Sequence, residues 1–283
     1  MEFKHPTEDD QAARWARAGH IWVEKQELLD GLLRPLEEVL VEGMPADTGG
    51  RVLDVGCGTG STTVAVARRL GPGGRCVGVD ISAPMIAAAR ERAERAGVAA
   101  SFVVADAADH PFEPASFDAV VSRLGVMFFD DPVHAFTQLR SAAGDGAPLR
   151  FVAWRGAAEN PFMTTAERAA APLLPQLPAR RPDGPGQFAF ADPDKVRGIL
   201  ARSGWGEIGI RPAELPCTLP TSELEGYITR LGPLGMVLPD VDEETRPKVV
   251  DAVRAAFEPF VHGPEVRFTA ACWVVEARAA ASR

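Results

Sequence analysis

The sequence predicts an α/β fold built on a mostly parallel sheet of seven strands, with helices ahead of it and a helical insertion late in the chain. Three observations carry this. Between residues 51 and 154, short apolar runs alternate with helical patterns about every 25 residues, the rhythm of a parallel sheet with right-handed crossovers. The first run empties into a glycine-rich turn, Gly56-Cys57-Gly58-Thr59-Gly60. A last apolar run at 266–277 follows a long excursion, an order compatible with antiparallel insertion into the sheet.

Each element has a local cause. Residues 11–41 repeat Trp15, Ile21, Trp22, Leu28, Leu29, Leu32, Leu33 and Leu36 at helical intervals. Gly19 is expected to divide this stretch into two helices, and Pro45 with 47–50 to form a loop. RVLDV (51–55) is a strand and Ser61 to Leu70 a helix, stopped by Gly71-Pro72-Gly73-Gly74. RCVGVD (75–80) is the second strand. Ser82 supplies a capping hydroxyl, and with Pro84 starts a helix that ends at Gly97. SFVVAD (101–106), FDAVVS (117–122) and PLRFVAW (148–154) are the next three strands, with a helix at 131–143. Residues 155–191 are rich in proline and show no strand. Asp192-Pro193 opens a helix that ends near Gly204, followed by a strand at 205–211. Two or three helices fill 222–261 before the final strand. The expected units are N-terminal helices (1–48), a core (49–155), an insertion (156–191), a core continuation (192–214), a helical cap (215–264) and a last core strand with its tail (265–283).

Composition bounds the function. With 283 residues and 46% hydrophobic content the chain can bury a sizeable core. Its net charge of −9 lacks the basic footprint of a nucleic-acid binder. The polar, acidic start MEFKHPTEDDQ is not a secretory signal peptide, and no apolar run approaches the ~20 residues of a spanning helix. Cys57, Cys76, Cys217 and Cys272 are scattered, without a CxxC pair or zinc-ligand spacing. A reduced, cytoplasmic, metal-free protein is the expectation, with a homodimer the commonest assembly.

VLDVGCGTG (52–60) is the densest motif. Its glycines allow positive φ and close approach of a ligand, and the following helix turns its unpaired N–H groups toward the same place. A P-loop needs GxxxxGK[ST], and no lysine is near. A dinucleotide turn needs GxGxxG, and the sixth position is Ser61. Asp54-x-Gly56-x-Gly58-x-Gly60 instead matches a GxGxG turn led by an acid, suited to S-adenosylmethionine. Asp80 ends the second strand, where it can accept from ribose hydroxyls, and Asp106 with Ala107 ends the third, where they can read adenine. Three acids at successive strand ends lie on one edge of the sheet, where open α/β folds bind ligands.

These residues resemble the class I S-adenosylmethionine-dependent methyltransferases, and within them the ubiquinone/menaquinone-biosynthesis C-methyltransferase branch. The resemblance rests on VLDVGCGTG (52–60), GVDIS (78–82), Met85, residues 103–129 and FVAW (151–154). It implies a Rossmann-like fold with a helical substrate cap. It implies that Asp54, Gly56, Cys57, Gly58 and Gly60 form the methionine-side loop, that Asp80 holds the ribose, and that Ile81 and Met85 flank the adenosine. Asp106 and Ala107 would read the adenine edge, Ser122 would sit by the methionine amine, and Trp22 would belong to a lid over the cofactor. Arg123 joins this set at the end of the fourth strand. Gly144-Asp145-Gly146-Ala147 stands where the family commonly has Pro-Gly-Gly.

Methyl transfer from a sulfonium is a direct displacement, so alignment and exclusion of water do most of the work. No catalytic motif is required and none is found. The candidates are His20 as a base, Arg123 to bind an anionic group or to pair with Asp130 or Asp131, and Tyr227, the lone tyrosine. His134 and His110 are weaker. Trp154, Phe162, Met163, Phe188, Phe190, Leu231, Leu234, Met236, Leu238, Phe257 and Phe260 suit a small apolar or aromatic acceptor, methylated at O, N or C. The rivals are an enzyme that uses S-adenosylmethionine without methylating, such as a cyclase, and an NAD-dependent oxidoreductase.

Overall fold

A computed structural model describes residues 11–44, 46, 49–175, 177 and 184–281. The acidic start of the chain, and Pro45, Asp47 and Thr48 of the expected loop, lie outside these residues.

Two helices precede the sheet, α1 (Gln11–Glu24) and α2 (Gln26–Glu42). The division falls at Lys25, not at Gly19, which sits inside α1. Gly19 serves packing instead: a Cβ there would stand 2.3 Å from the Ser82 hydroxyl. Leu29, Leu32, Leu33, Leu36 and Leu40 form the buried stripe of α2, each fully buried leucine contributing roughly 1.5–3 kcal/mol.

The sheet then builds by alternation: β1 (Arg51–Val55), α3 (Ser61–Leu70), β2 (Arg75–Asp80), α4 (Ala83–Ala96), β3 (Ala100–Val104), β4 (Ala119–Arg123), α5 (Pro132–Ala142) and β5 (Pro148–Trp154). These five strands are parallel in the order β3-β2-β1-β4-β5. The chain reverses its direction of travel across the sheet between β1 and β4, which opens a crevice beyond their carboxyl ends. Ser82 holds the cap position of α4, but its hydroxyl donates to the Trp15 carbonyl at 3.1 Å and not to the helix. Asp131 and Asp192 are true caps, accepting from His134 N–H at 3.0 Å and Asp194 N–H at 2.9 Å.

The insertion holds α6 (Phe162–Ala170), and α7 (Pro193–Arg202) leads into β6 (Trp205–Pro220). β6 runs past the expected end of the core at 214. The cap carries α8 (Leu224–Arg230), α9 (Gly232–Val237) and α10 (Thr245–Phe257), and the short strand β7 (Val261–His262) leads to β8 (Glu265–Ala279). β8 enters antiparallel between β5 and β6, completing seven strands in line, with β7 paired off the end.

Residues 272–278 of β8 pair with β5, whereas 267–271 pair with β6 alone and 265–266 with β6 and β7. The two strands therefore rise past the sheet as an arm with the cap at its tip. Where β5 stops, fully buried Asn160 takes over: its amide donates to the Ala271 carbonyl and accepts from the Ala271 N–H, both at 2.9 Å. This gives the Ala271 N–H its partner, while the Ala271 carbonyl is shared with the Arg155 N–H at 3.0 Å.

Candidate functional site

A cavity of about 440 Å³ runs along the carboxyl ends of β1 to β5 and continues beneath the cap, a volume within the range of small-molecule sites. Its floor is the loop after β1. Gly56, Gly58 and Gly60 all have positive φ, at 67°, 54° and 83°. They serve different ends. A Cβ on Gly56 would lie 2.6 Å from the Cα of Gly125, so two glycines meet where the β1 and β4 loops touch. A Cβ on Gly60 would strike Ala89, which makes this glycine a packing residue for α3 on α4; it does not line the cavity. At Gly58 the one neighbour within 4 Å is the Met85 sulfur, so this stretch of backbone is open to a ligand.

Asp80 lines the cavity with its carboxylate held by backbone: Oδ2 accepts from Gly58 N–H and Oδ1 from Ser82 N–H, both at 2.9 Å. Burial raises its pKa while the N–H groups of Ser82, Gly58 and Ile81 pull it down. Ile81, Met85 and Ala107 also line the space, as does Asp106, two residues past the end of β3, whose Oδ1 accepts from Ala108 N–H at 2.8 Å.

Asp54 does not reach the cavity. It is fully buried behind the loop, with Oδ2 accepting from the Thr63 hydroxyl at 2.7 Å and Oδ1 unpartnered. Burial raises its pKa to about 7, against the lowering effects of the Thr63 bond and the Arg123 charge. Ser122 also lies off the cavity: its hydroxyl donates to the Val55 carbonyl at 2.7 Å and accepts from Gly125 N–H at 3.1 Å. It fixes the β4 loop against β1 and, lying off the cavity, is not placed for the contact expected with an amine.

Arg123 lines the cavity but pairs with neither Asp130 nor Asp131. Its Nη1 lies 3.6 Å from Glu37 Oε2 on α2, a carboxylate that also accepts from the Ser61 hydroxyl. Trp22 lines the cavity together with Trp15, which the sequence reading passed over; their rings are 6.0 Å apart, and Trp15 meets Phe128 edge-on at 5.0 Å. Their spacing of seven residues on one helix was the available signal. His20 is exposed and off the cavity, because it follows Gly19 round to the outer side of α1. His134 lines the rim, with Nε2 3.1 Å from Asp109 Oδ1, and His110 packs on Phe112 away from it.

Under the cap the wall turns apolar. Trp154, Phe162, Met163, Leu231, Leu234 and Phe257 line it as expected, with Tyr227 and Cys217 among them. Phe188, Phe190, Met236, Leu238 and Phe260 do not: Phe190 fills the core against Phe136 and Phe151, and Met236 is 58% exposed. Among the described residues, no helix is long and apolar enough to cross a membrane.

Comparison with known proteins agrees with this geometry. A family profile described as a methyltransferase domain matches residues 52–146. Nocamycin O-methyltransferase of Saccharothrix syringae is 32% identical over 203 residues, covering 67% of this chain and 71% of the relative. The ubiquinone/menaquinone biosynthesis C-methyltransferase of Pseudomonas fluorescens is 29% identical over 185 residues, covering 62% and 72%. The crystal structure of the [4+2]-cyclase SpnF shares the fold, with a TM-score of 0.57 at 18% identity over 94% of this chain and 96% of that one.

The residues fit S-adenosylmethionine. The open Gly58 backbone, the buried Asp80 carboxylate and the Arg123 guanidinium give the lining both signs of charge around the glycine loop. More carboxylates than cations line the rest, which favours a sulfonium. The chain belongs to the class I S-adenosylmethionine-dependent methyltransferases, is similar to their ubiquinone/menaquinone branch, and is an enzyme of that class.

Proposed function

We propose that the protein methylates a small apolar or aromatic metabolite, of natural-product or quinone type. The observation that carries this reading is the continuity of one cavity from the glycine loop and Asp80 to the apolar chamber around Trp154, Phe162 and Phe257. S-adenosylmethionine supplies an electrophilic methyl group on a sulfonium. On this reading Asp80 takes the ribose hydroxyls, Asp106 and Ala107 the adenine edge, and Gly56 to Gly58 the methionine backbone. Arg123 faces the methionine end or an anionic group of the acceptor. Trp15 and Trp22 close over this half and exclude water, and the cap presents the acceptor in line.

Two relatives support the choice of acceptor class: one is named for nocamycin O-methylation, the other for C-methylation in quinone biosynthesis. His20 lies off the cavity, and burial raises the pKa of Tyr227, so neither is placed to take a proton from an acceptor. An acceptor atom that is already ionised, or that has no proton to lose, therefore suits this chamber. The protein would work as a small-molecule enzyme in a reducing compartment, consistent with four free, buried cysteines.

Calorimetric titration with S-adenosylhomocysteine, with NAD as comparison, tests the cofactor half. Incubation with aromatic acceptors then tests the rest. Turnover that needs S-adenosylmethionine yet forms no S-adenosylhomocysteine would replace methyl transfer with a cyclase-like reaction.

A further inference from the structure

Tyr227 stands on α8 with its ring packed at 5.9 Å from Phe268 and 6.2 Å from Phe257. Phe268 in turn stacks on Phe162 at 4.6 Å, and Phe162 meets Trp154 edge-on at 6.2 Å. Trp154, Phe162, Tyr227 and Phe257 all face the cavity. Together they make one continuous aromatic wall, from the end of β5 to the far side of the cap, backed by Phe268.

The polar inventory of this chamber is short. Glu167 and Gln187 line it but are engaged with partners of their own. The Tyr227 hydroxyl makes no hydrogen bond to any described residue, and neither does the Trp154 indole N–H. Tyrosines sunk in apolar surroundings normally find a partner, and leaving one unmade is costly. Burial, with Cys217 nearby, keeps the phenol protonated well above its ordinary range. It can donate at any physiological pH.

Resting on the apolar-acceptor reading above, we infer that Tyr227 is a specificity-determining residue: its hydroxyl donates a hydrogen bond to a carbonyl-type oxygen of a flat aromatic acceptor laid along the Trp154–Phe162–Tyr227 wall. The chamber then selects ketones, quinones or carboxylates over hydrocarbons of the same shape.

The test uses the 283-residue protein saturated with S-adenosylhomocysteine, titrated calorimetrically with 2-acetylnaphthalene and its hydrocarbon counterpart 2-ethylnaphthalene. Wild type is expected to bind the ketone about tenfold more tightly, the scale of one buried hydrogen bond, and Tyr227→Phe to bind both at the weaker level. Equal binding of the two probes by wild type overturns the inference. So does an undiminished preference in a Tyr227→Phe protein that still binds S-adenosylhomocysteine normally. Either result leaves the aromatic chamber standing as the acceptor site. If neither probe binds wild type, the apolar-acceptor reading falls and takes this inference with it. Tyr227→Leu replaces the phenylalanine variant should that one not fold.

Discussion

Asp80 combines three backbone N–H donors with a position on the cavity wall, so its carboxylate is aimed before any ligand arrives. Asp80→Ala is expected to weaken S-adenosylhomocysteine binding by about 1–3 kcal/mol, the scale of hydrogen bonds to a charged group. Unchanged calorimetric affinity in a folded variant would show the ribose to lie elsewhere. Asp54 makes a prediction about pH. Its folded pKa of about 7 stands above the ordinary 3.8, so the folded protein holds a proton that the unfolded chain releases. Its contribution is therefore full below about pH 4 and is lost as pH rises toward 7, amounting to about 4 kcal/mol at most. Urea midpoints of the ligand-free protein should fall between pH 5 and pH 8, and Asp54→Asn should flatten that slope. A slope that Asp54→Asn leaves as steep would assign it to other groups.

At the scale of elements, the β1 and β4 loops meet glycine against glycine. A Cβ on Gly125 would sit 2.6 Å from the Val55 carbonyl and 2.8 Å from the Cα of Gly56, both backbone atoms that cannot swing away. Gly125→Ala should cost about 1–3 kcal/mol of stability, the usual scale of overpacking, and should weaken S-adenosylhomocysteine binding beyond that by lifting the loop. Wild-type affinity in this variant would show the loop to be tolerant. The glycine loop itself was readable because a strand, a run of alternate glycines and a helix follow one another within ten residues. Gly125 was not, since its partner lies 69 residues away and only packing brings them together. The same distinction explains Gly19, where a residue known for breaking helices instead lets α1 approach Ser82.

For the molecule as a whole, the N-terminal helices and the cap, which both contribute to the cavity lining, are tied to each other by ion pairs. Arg230 on α8 grips Glu24 at the end of α1 with two bonds of 2.7 and 2.5 Å, and Lys25 lies 3.7 Å from Glu223. These pairs are largely exposed and worth about 0–1 kcal/mol in stability. Arg230→Gln should thus leave the urea midpoint nearly unchanged while releasing S-adenosylhomocysteine several-fold faster in stopped-flow. Unaltered release would show that the cap and the N-terminal helices open independently of this contact.

The order of strands and helices, the glycine turn and the class of ligand followed from the chain alone, because each depends on neighbours in sequence: side-chain period, capping residues, and glycines where φ must be positive. Asp80 at the end of β2 was legible for the same reason, since a strand delivers its last residue to the sheet edge, and Asp106 follows β3 by two residues. Tertiary structure decided everything that rests on distant partners. It turned Asp54 and Ser122 inward, joined Arg123 to Glu37, carried β6 to Pro220 and placed β8 between β5 and β6. It also brought Tyr227 of the cap to the chamber that begins at Trp154. Such pairings are set by the shape of whole packed surfaces, and no local run of residues encodes them.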